Sequence, residues 1–186
     1  LDELNQDIEV LDLNGANFAE LKTSLLIENI KSQYNTHEKI TLIGSSMGGL
    51  VALNLAEFMP NIQKVILLAP ALKINTLWPQ IVGEVGMQFW HDKGYLPIYH
   101  YGMKQEINLH YEFITDLQQV RDDDFKRNIP ALIFHGLNDA TITCQVSHDY
   151  SASHPCAILH LLDSDHSLED SLVSIWQHVA KFLELE

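Results

Sequence analysis

Gly44-Ser45-Ser46-Met47-Gly48 lies between two runs of different period. Before it, Lys39-Ile40-Thr41-Leu42-Ile43 is β-branched and apolar, as a strand buried on both faces of a parallel sheet should be. After it, Leu50, Leu53 and Phe58 recur at helical spacing, flanked by Val51 and Leu55, and Pro60-Asn61 supplies a stop. A strand that turns directly into a helix forces the corner residue into a strained conformation, tolerable only with small neighbours. Gly44 and Gly48 meet that need around Ser46, giving the Gly-x-Ser-x-Gly pattern of a nucleophile elbow. Ser45 is the poorer candidate, because it would put Ile43 and Met47 where the small residues belong. The helix N-terminus behind Ser46 favours developing negative charge.

Working outward, the chain alternates strand-like and helix-like runs. Residues 8–13 are strand-like and end at Asn14-Gly15, and residues 18–34 carry an apolar face of Phe18, Leu21, Leu25, Leu26, Ile30 and Tyr34. A further buried strand is expected at 64–69 and strands at 131–136 and 157–162, with a last helix over about 168–183. Ser167 and Asp170 have capping-box spacing at its start. Such alternation predicts an α/β fold: a mostly parallel sheet with helices on both faces, in a single domain spanning 1–186. The 186 residues, 46% of them hydrophobic, suffice for one core, and no Pro/Gly/Ser-rich linker divides them.

In such a sheet ligands bind beyond the carboxyl ends of the strands, so each chemical group should follow a strand. Asp139 follows the strand ending at His135-Gly136, and His166 follows the strand ending at Leu162. A serine hydroxyl is a weak nucleophile near neutral pH and needs an imidazole to take its proton, a role that falls to His166. The imidazole in turn needs a carboxylate to orient it and to stabilise its charged form, a role that falls to Asp139. Among rivals, His135 reads as a structural hydrogen-bonding residue, His160 is mid-strand, and His37, His154 and His178 fall in loop or helix-surface settings. Asp165 is adjacent to His166 and orients its ring poorly, while Asp163 can assist at second hand.

Several function classes are disfavoured. Eleven basic against 25 acidic residues give a formal charge of −14 with no basic stripe, which argues against nucleic acid and anionic membrane as partners. No apolar run is long enough to span a bilayer, and a soluble protein is expected. Cys144 and Cys156 do not form a disulfide framework, and free buried thiols in a reducing cytoplasm are expected. Neither His-Glu-x-x-His nor Cys-x-x-Cys occurs, so no catalytic metal is expected and the chemistry needs no cofactor.

The chain order Ser46, Asp139, His166 is that of the α/β-hydrolases, and four segments resemble that family. They are the Asp12-Leu13-Asn14-Gly15 loop, the elbow from Gly44 to Gly49, His135-Gly136-Leu137-Asn138-Asp139, and Asp165-His166-Ser167. The Gly-Ser-Ser-Met-Gly-Gly elbow and the Asp-Ser-Asp-His ending look like the compact bacterial YqiA/YcfP-type esterases. That resemblance implies a carboxylesterase or thioesterase acting on small acyl substrates. It also implies an oxyanion hole with one donor from the Met47 backbone N–H and a second from a His-Gly loop upstream of Leu1. The chain is accordingly expected to be a piece of a longer protein that lacks the family's N-terminal strands. Two alternatives are a non-catalytic ligand-binding or scaffold protein on the same fold, and an acyltransferase.

Residues 71–128 separate two strands that should be near neighbours, and so long a connection is expected to be a helical lid. Trp78, Phe89, Trp90, Tyr95, Tyr99, Tyr101, Tyr111 and Phe113 lie in it. They read equally well as an apolar acyl-binding wall and as rings that pack the insertion onto the domain. Arg121-Asp122-Asp123-Asp124 reads as a solvated helix surface.

Overall fold

A computed structural model of the protein describes residues 8–14, 17–35, 38–100 and 103–185. After a 3-10 turn at Phe18–Glu20 come α1 (Thr23–Tyr34), β1 (Ile40–Ser45), α2 (Met47–Phe58) and β2 (Ile62–Leu68). Then follow α3 (Ile74–Lys93), β3 (Tyr95–His100), β4 (Gln105–His110) and α4 (Glu112–Leu117). The chain closes with β5 (Ala131–Gly136), α5 (Gln145–Ser153), β6 (Ala157–Leu162), a 3-10 turn at Glu169–Ser171, and α6 (Leu172–Leu183). The principal sheet has the order β1-β2-β5-β6 with every pair parallel, as the alternation predicts.

Strand periodicity divides the core. Val65, Leu67, Ala131 and Ile133 face one side, packed with Leu50, Leu53 and Val146 from the helices there. Ile66, Leu132 and Phe134 face the other, where Ile175 and Val179 of α6 cover them. Helices therefore lie on both faces. The most buried of them is α2, whose Leu50 to Ala56 are all buried, which is why its sequence reads as apolar all round rather than as a stripe. Leu53 is 2% exposed at its centre. Leu53→Ala is expected to lower unfolding free energy by about 2–5 kcal/mol, read from urea denaturation, because the packed neighbours cannot fully close the void.

Several local expectations are corrected. Residues 8–13 are not a strand: Leu11 and Leu13 lean on the core while Ile8 and Val10 are exposed, and the backbone has no ladder partner among the described residues. An alternating pattern without a neighbour to pair with is not enough to make a strand. Residue 15, the end of that motif, lies outside the described residues, as do His37 and Tyr101. Ser167 does not cap the last helix, since Leu168 is left-handed (φ 57°) and Asp170 is instead bonded to Ser164 and, at 3.1 Å, to Ser171. His154 is buried, bonded through Nε2 to the Phe125 carbonyl at 3.0 Å, and His178 packs its ring 4.2 Å from that of His160. Cys144 and Cys156 are free, but neither is buried: Cys144 is half-buried and Cys156 exposed.

The insertion is part helix and part hairpin. α3 is interrupted at Gly83 (φ 78°, ψ 159°), and β3 and β4 pair antiparallel. Trp90 and Phe113 are buried and stack at 6.4 Å, with Trp78 edge-on to both, so these rings pack the insertion internally. Phe89, Tyr95 and Tyr99 are exposed. Arg121-Asp122-Asp123-Asp124 is not helical and not merely solvated. Arg121 pairs with Glu57 of α2 at 2.7 Å, and Asp122 accepts the Asn75 N–H at 2.8 Å through its carboxylate and the Lys73 N–H at 2.7 Å through its carbonyl. The run ties the start of α3 to the domain.

Candidate active site

Register fixes the site's floor. Ser45 pairs with Leu68, Leu68 with Phe134, and Gly136 with Leu162, so the four parallel strands end side by side. Ser46, Leu137 and Asp163 are each the first residue beyond a strand on that edge. The main chain stitches the edge together: Ser46 N–H donates to the Leu68 carbonyl, Ala69 N–H to Phe134, and Leu137 N–H to Leu162, each at 2.8 Å.

Ser46 is the corner itself. Its φ of 52° and ψ of −116° are a conformation that costs a non-glycine residue about 1–3 kcal/mol, held here by the strand on one side and a buried helix on the other. The Ser46 carbonyl accepts from Ala71 at 2.9 Å and from Gly49 at 3.0 Å, which fixes both sides of the corner. Gly44 is required there, because a Cβ on it would sit 2.3 Å from the Gly48 carbonyl oxygen. Met47 opens α2, so its N–H belongs to the first turn, which has no intrahelical acceptor. The second oxyanion donor, expected upstream of Leu1, lies outside the described residues.

The loops that carry Asp139 and His166 meet Ser46 from β5 and β6. His166 Nε2 is 3.1 Å from Ser46 Oγ, and His166 Nδ1 is 2.7 Å from Asp139 Oδ2. Asp139 has a fully buried side chain, whereas that of His166 is 28% exposed and so remains open to a ligand. Asp139 Oδ1 accepts the backbone N–H groups of Thr141 and Ile142, both at 2.8 Å, and these close the loop around the carboxylate. With its carboxylate on Nδ1, the neutral His166 ring carries its proton there and leaves Nε2 bare toward the serine.

Three further groups brace this arrangement. Asn138 ties the loops together, donating from its side chain to Asp163 at 2.9 Å and from its main chain to the Ser164 carbonyl at 3.0 Å. Asp163 therefore contacts the Asn138 side chain, beside Asp139 in the loop. Asp165 turns away from the His166 ring and accepts from Ser167 N–H and Oγ at 2.8 and 2.7 Å, bonds that hold its carboxyl below the usual range. His135 does make structural hydrogen bonds, but it also reaches Asp139 Oδ2 at 3.2 Å. Ser147, its partner on α5, carried no signal in the sequence that could have found it.

A parallel sheet with helices on both faces, a sharp strand-to-helix corner at Ser46 after β1, and Asp139 and His166 on the loops beyond β5 and β6 are the features of the α/β-hydrolase fold. Solved structures agree. The mouse alpha/beta hydrolase domain-containing protein 10 superposes with a TM-score of 0.71 at 20% identity, covering 91% of this chain and 73% of that one. Est1E from Butyrivibrio proteoclasticus gives 0.64 at 20% identity over 87% and 68%, and the monoacylglycerol lipase of Paleococcus ferrophilus 0.67 at 14% over 89% and 76%. At these identities the likeness is one of fold. No curated protein sequence matches the chain. More narrowly, residues 1–184 match the model of UPF0227, described as an uncharacterised protein family, and the chain belongs to that family.

Proposed function

We propose that this chain is a serine hydrolase that cleaves carboxylic ester or thioester bonds of small acyl substrates. The observation that carries the reading is the continuous line from Ser46 Oγ to His166 Nε2 at 3.1 Å and from His166 Nδ1 to Asp139 Oδ2 at 2.7 Å. As Ser46 attacks the acyl carbonyl, His166 takes its proton, and buried Asp139 stabilises the imidazolium that forms. The Met47 N–H, at the start of α2, is directed to the oxyanion, where the helix terminus favours negative charge. His166 then protonates the departing alcohol or thiol, and water, deprotonated by the same ring, releases the acid and restores Ser46. The reading requires no cofactor.

The 71–128 insertion is proposed as a lid, with exposed Phe89 and Tyr95 the rings available to an acyl chain. Among the described residues no helix is long and apolar enough to cross a membrane. The free Cys144 and Cys156 suit a reducing cytoplasm, where the proposed partner is a small acyl ester or thioester rather than nucleic acid or membrane.

The test joins labelling to turnover. A fluorophosphonate probe is expected to modify Ser46, located by peptide mass spectrometry, and p-nitrophenyl esters of increasing acyl length to be hydrolysed with a length preference. Folded protein that neither labels at Ser46 nor turns over any of the esters would overturn the reading. Added alcohol or thiol acceptors that divert the acyl group from water would instead make it an acyltransferase.

A further inference from the structure

Behind Asp139 stands a second imidazole that the hydrolytic steps leave unused. His135, near the end of β5, has a fully buried side chain enclosed by three partners. Its Nδ1 is 2.8 Å from Ser147 Oγ on α5, and its Nε2 is 2.9 Å from the Ile142 carbonyl and 3.2 Å from Asp139 Oδ2. The tautomer follows from what those partners can do. A carbonyl and a carboxylate only accept, so Nε2 carries the proton, directed to the Ile142 carbonyl with the Asp139 carboxylate beside it at 3.2 Å. The bare Nδ1 then accepts from the Ser147 hydroxyl.

Asp139 therefore has a partner for each direction it could turn. The two backbone N–H groups hold Oδ1, yet they leave the carboxylate free to pivot about that oxygen. His135 and His166 both meet Oδ2. The charged and titratable groups facing His135 are Asp139 and, beyond it, His166. A cation in the place of His135 would fix the carboxylate equally well but would cancel the charge that must stabilise the His166 imidazolium. A neutral donor fixes it and spares most of that charge. Burial holds His135 below the ordinary histidine range, and it outweighs the upward pull of the Ile142 carbonyl and Asp139.

We propose that His135, set by Ser147 as the neutral Nε2–H tautomer, is a positioning residue that holds Asp139 Oδ2 on His166, which rests on Ser46, His166 and Asp139 acting as the hydrolytic set. Two measurements test it. In the unmutated protein, nitrogen-15 spectra of the histidine rings at about pH 8 are expected to show His135 protonated at Nε2 alone. A neutral ring protonated at Nδ1 instead overturns the assignment, and this reading does not depend on any variant folding or on activity.

The second measurement compares His135→Gln with His135→Phe. Gln carries N–H donors to about the position of Nε2, whereas Phe fills the space and offers none. His135→Gln is expected to keep kcat within about threefold, while His135→Phe loses about tenfold in kcat with KM little changed. Equal losses in both variants would mean that His135 only fills space, and an unaffected Phe variant would mean that it has no role; either result overturns the proposal. A Ser46→Ala protein that still hydrolysed the ester would instead condemn the hydrolytic reading itself, and the tautomer measurement would stand apart from it.

Discussion

Ser46→Ala is expected to lower kcat for a short p-nitrophenyl ester by about 10⁴- to 10⁶-fold, with KM within about twofold of the unmutated protein. At about 1.36 kcal/mol per decade, that is a loss of roughly 5–8 kcal/mol of transition-state stabilisation. The physical reason is that in the proposed mechanism the three side chains work as one unit. Without Oγ, His166 Nε2 has no nucleophile to deprotonate, and the line of hydrogen bonds at 3.1 and 2.7 Å is left with no reacting end. What survives is the Met47 amide and the binding surface, which still polarise a carbonyl for attack by water. His166→Ala should cost a similar amount, and Ser46→Ala combined with His166→Ala should be scarcely slower than either alone. Losses that multiplied in the double variant would mean that the two residues act independently, contrary to the 3.1 Å contact. Fluorophosphonate labelling separates the variants further: Ser46→Ala has no site to label, whereas His166→Ala keeps the hydroxyl but not the base. Retention by Ser46→Ala of more than about a tenth of the turnover would move the chemistry elsewhere in the molecule.

The residues in that line were legible because the sheet's topology brings distant segments to one edge. Ser46, Asp139 and His166 each follow an apolar run whose strand character is set by local composition, and parallel register does the rest. The elbow was readable for a related reason, since the hydrophobic period changes across five residues and only a sharp corner reconciles the two. What could not be read were pairings between segments with no periodic relation. Arg121 meets Glu57 across 64 positions, and Asp116 accepts the N–H of Ser24, at the start of α1, across 92. Nothing in a run of Arg and Asp residues says that a particular carboxylate will meet a particular helix start. The same limit applies to His135, whose place in a strand suggested a structural hydrogen bond but not that Asp139 would be among its partners. Residues 8–13 show the opposite failure. Their alternation resembles that of a strand, and a strand also needs a hydrogen-bonding neighbour that the pattern does not reveal.

Gly136→Ala is expected to lower kcat by about 100-fold or more while leaving KM within a few-fold, although the substitution adds one methyl group and touches none of the three proposed reacting residues. Gly136 ends β5, where the loop carrying His166 crosses it. A Cβ on it would lie 2.4 Å from both the Ser164 and the Asp165 carbonyl oxygens and 2.9 Å from the Asp165 carbonyl carbon. These are backbone atoms, so no change of rotamer relieves the contact. β5 is paired with β2 on one side and β6 on the other, and every residue in it is buried, so the strand is the stiffer partner. The loop must therefore retreat by about an ångström, the difference between 2.4 Å and ordinary van der Waals contact. His166 follows Asp165 directly and moves with it, away from Asp139 and Ser46 together, and displacement of that size is enough to cost about two decades in rate. Overpacking should also lower stability by about 1–3 kcal/mol, seen as a lower melting temperature in the same preparation. The two losses can be told apart, because the kinetic one persists far below the melting transition, in protein that is fully folded. An alanine variant that melts earlier yet turns over at the normal rate would show that the loop yields at Ser164 without carrying His166, and that the base is held chiefly by its bond to Asp139.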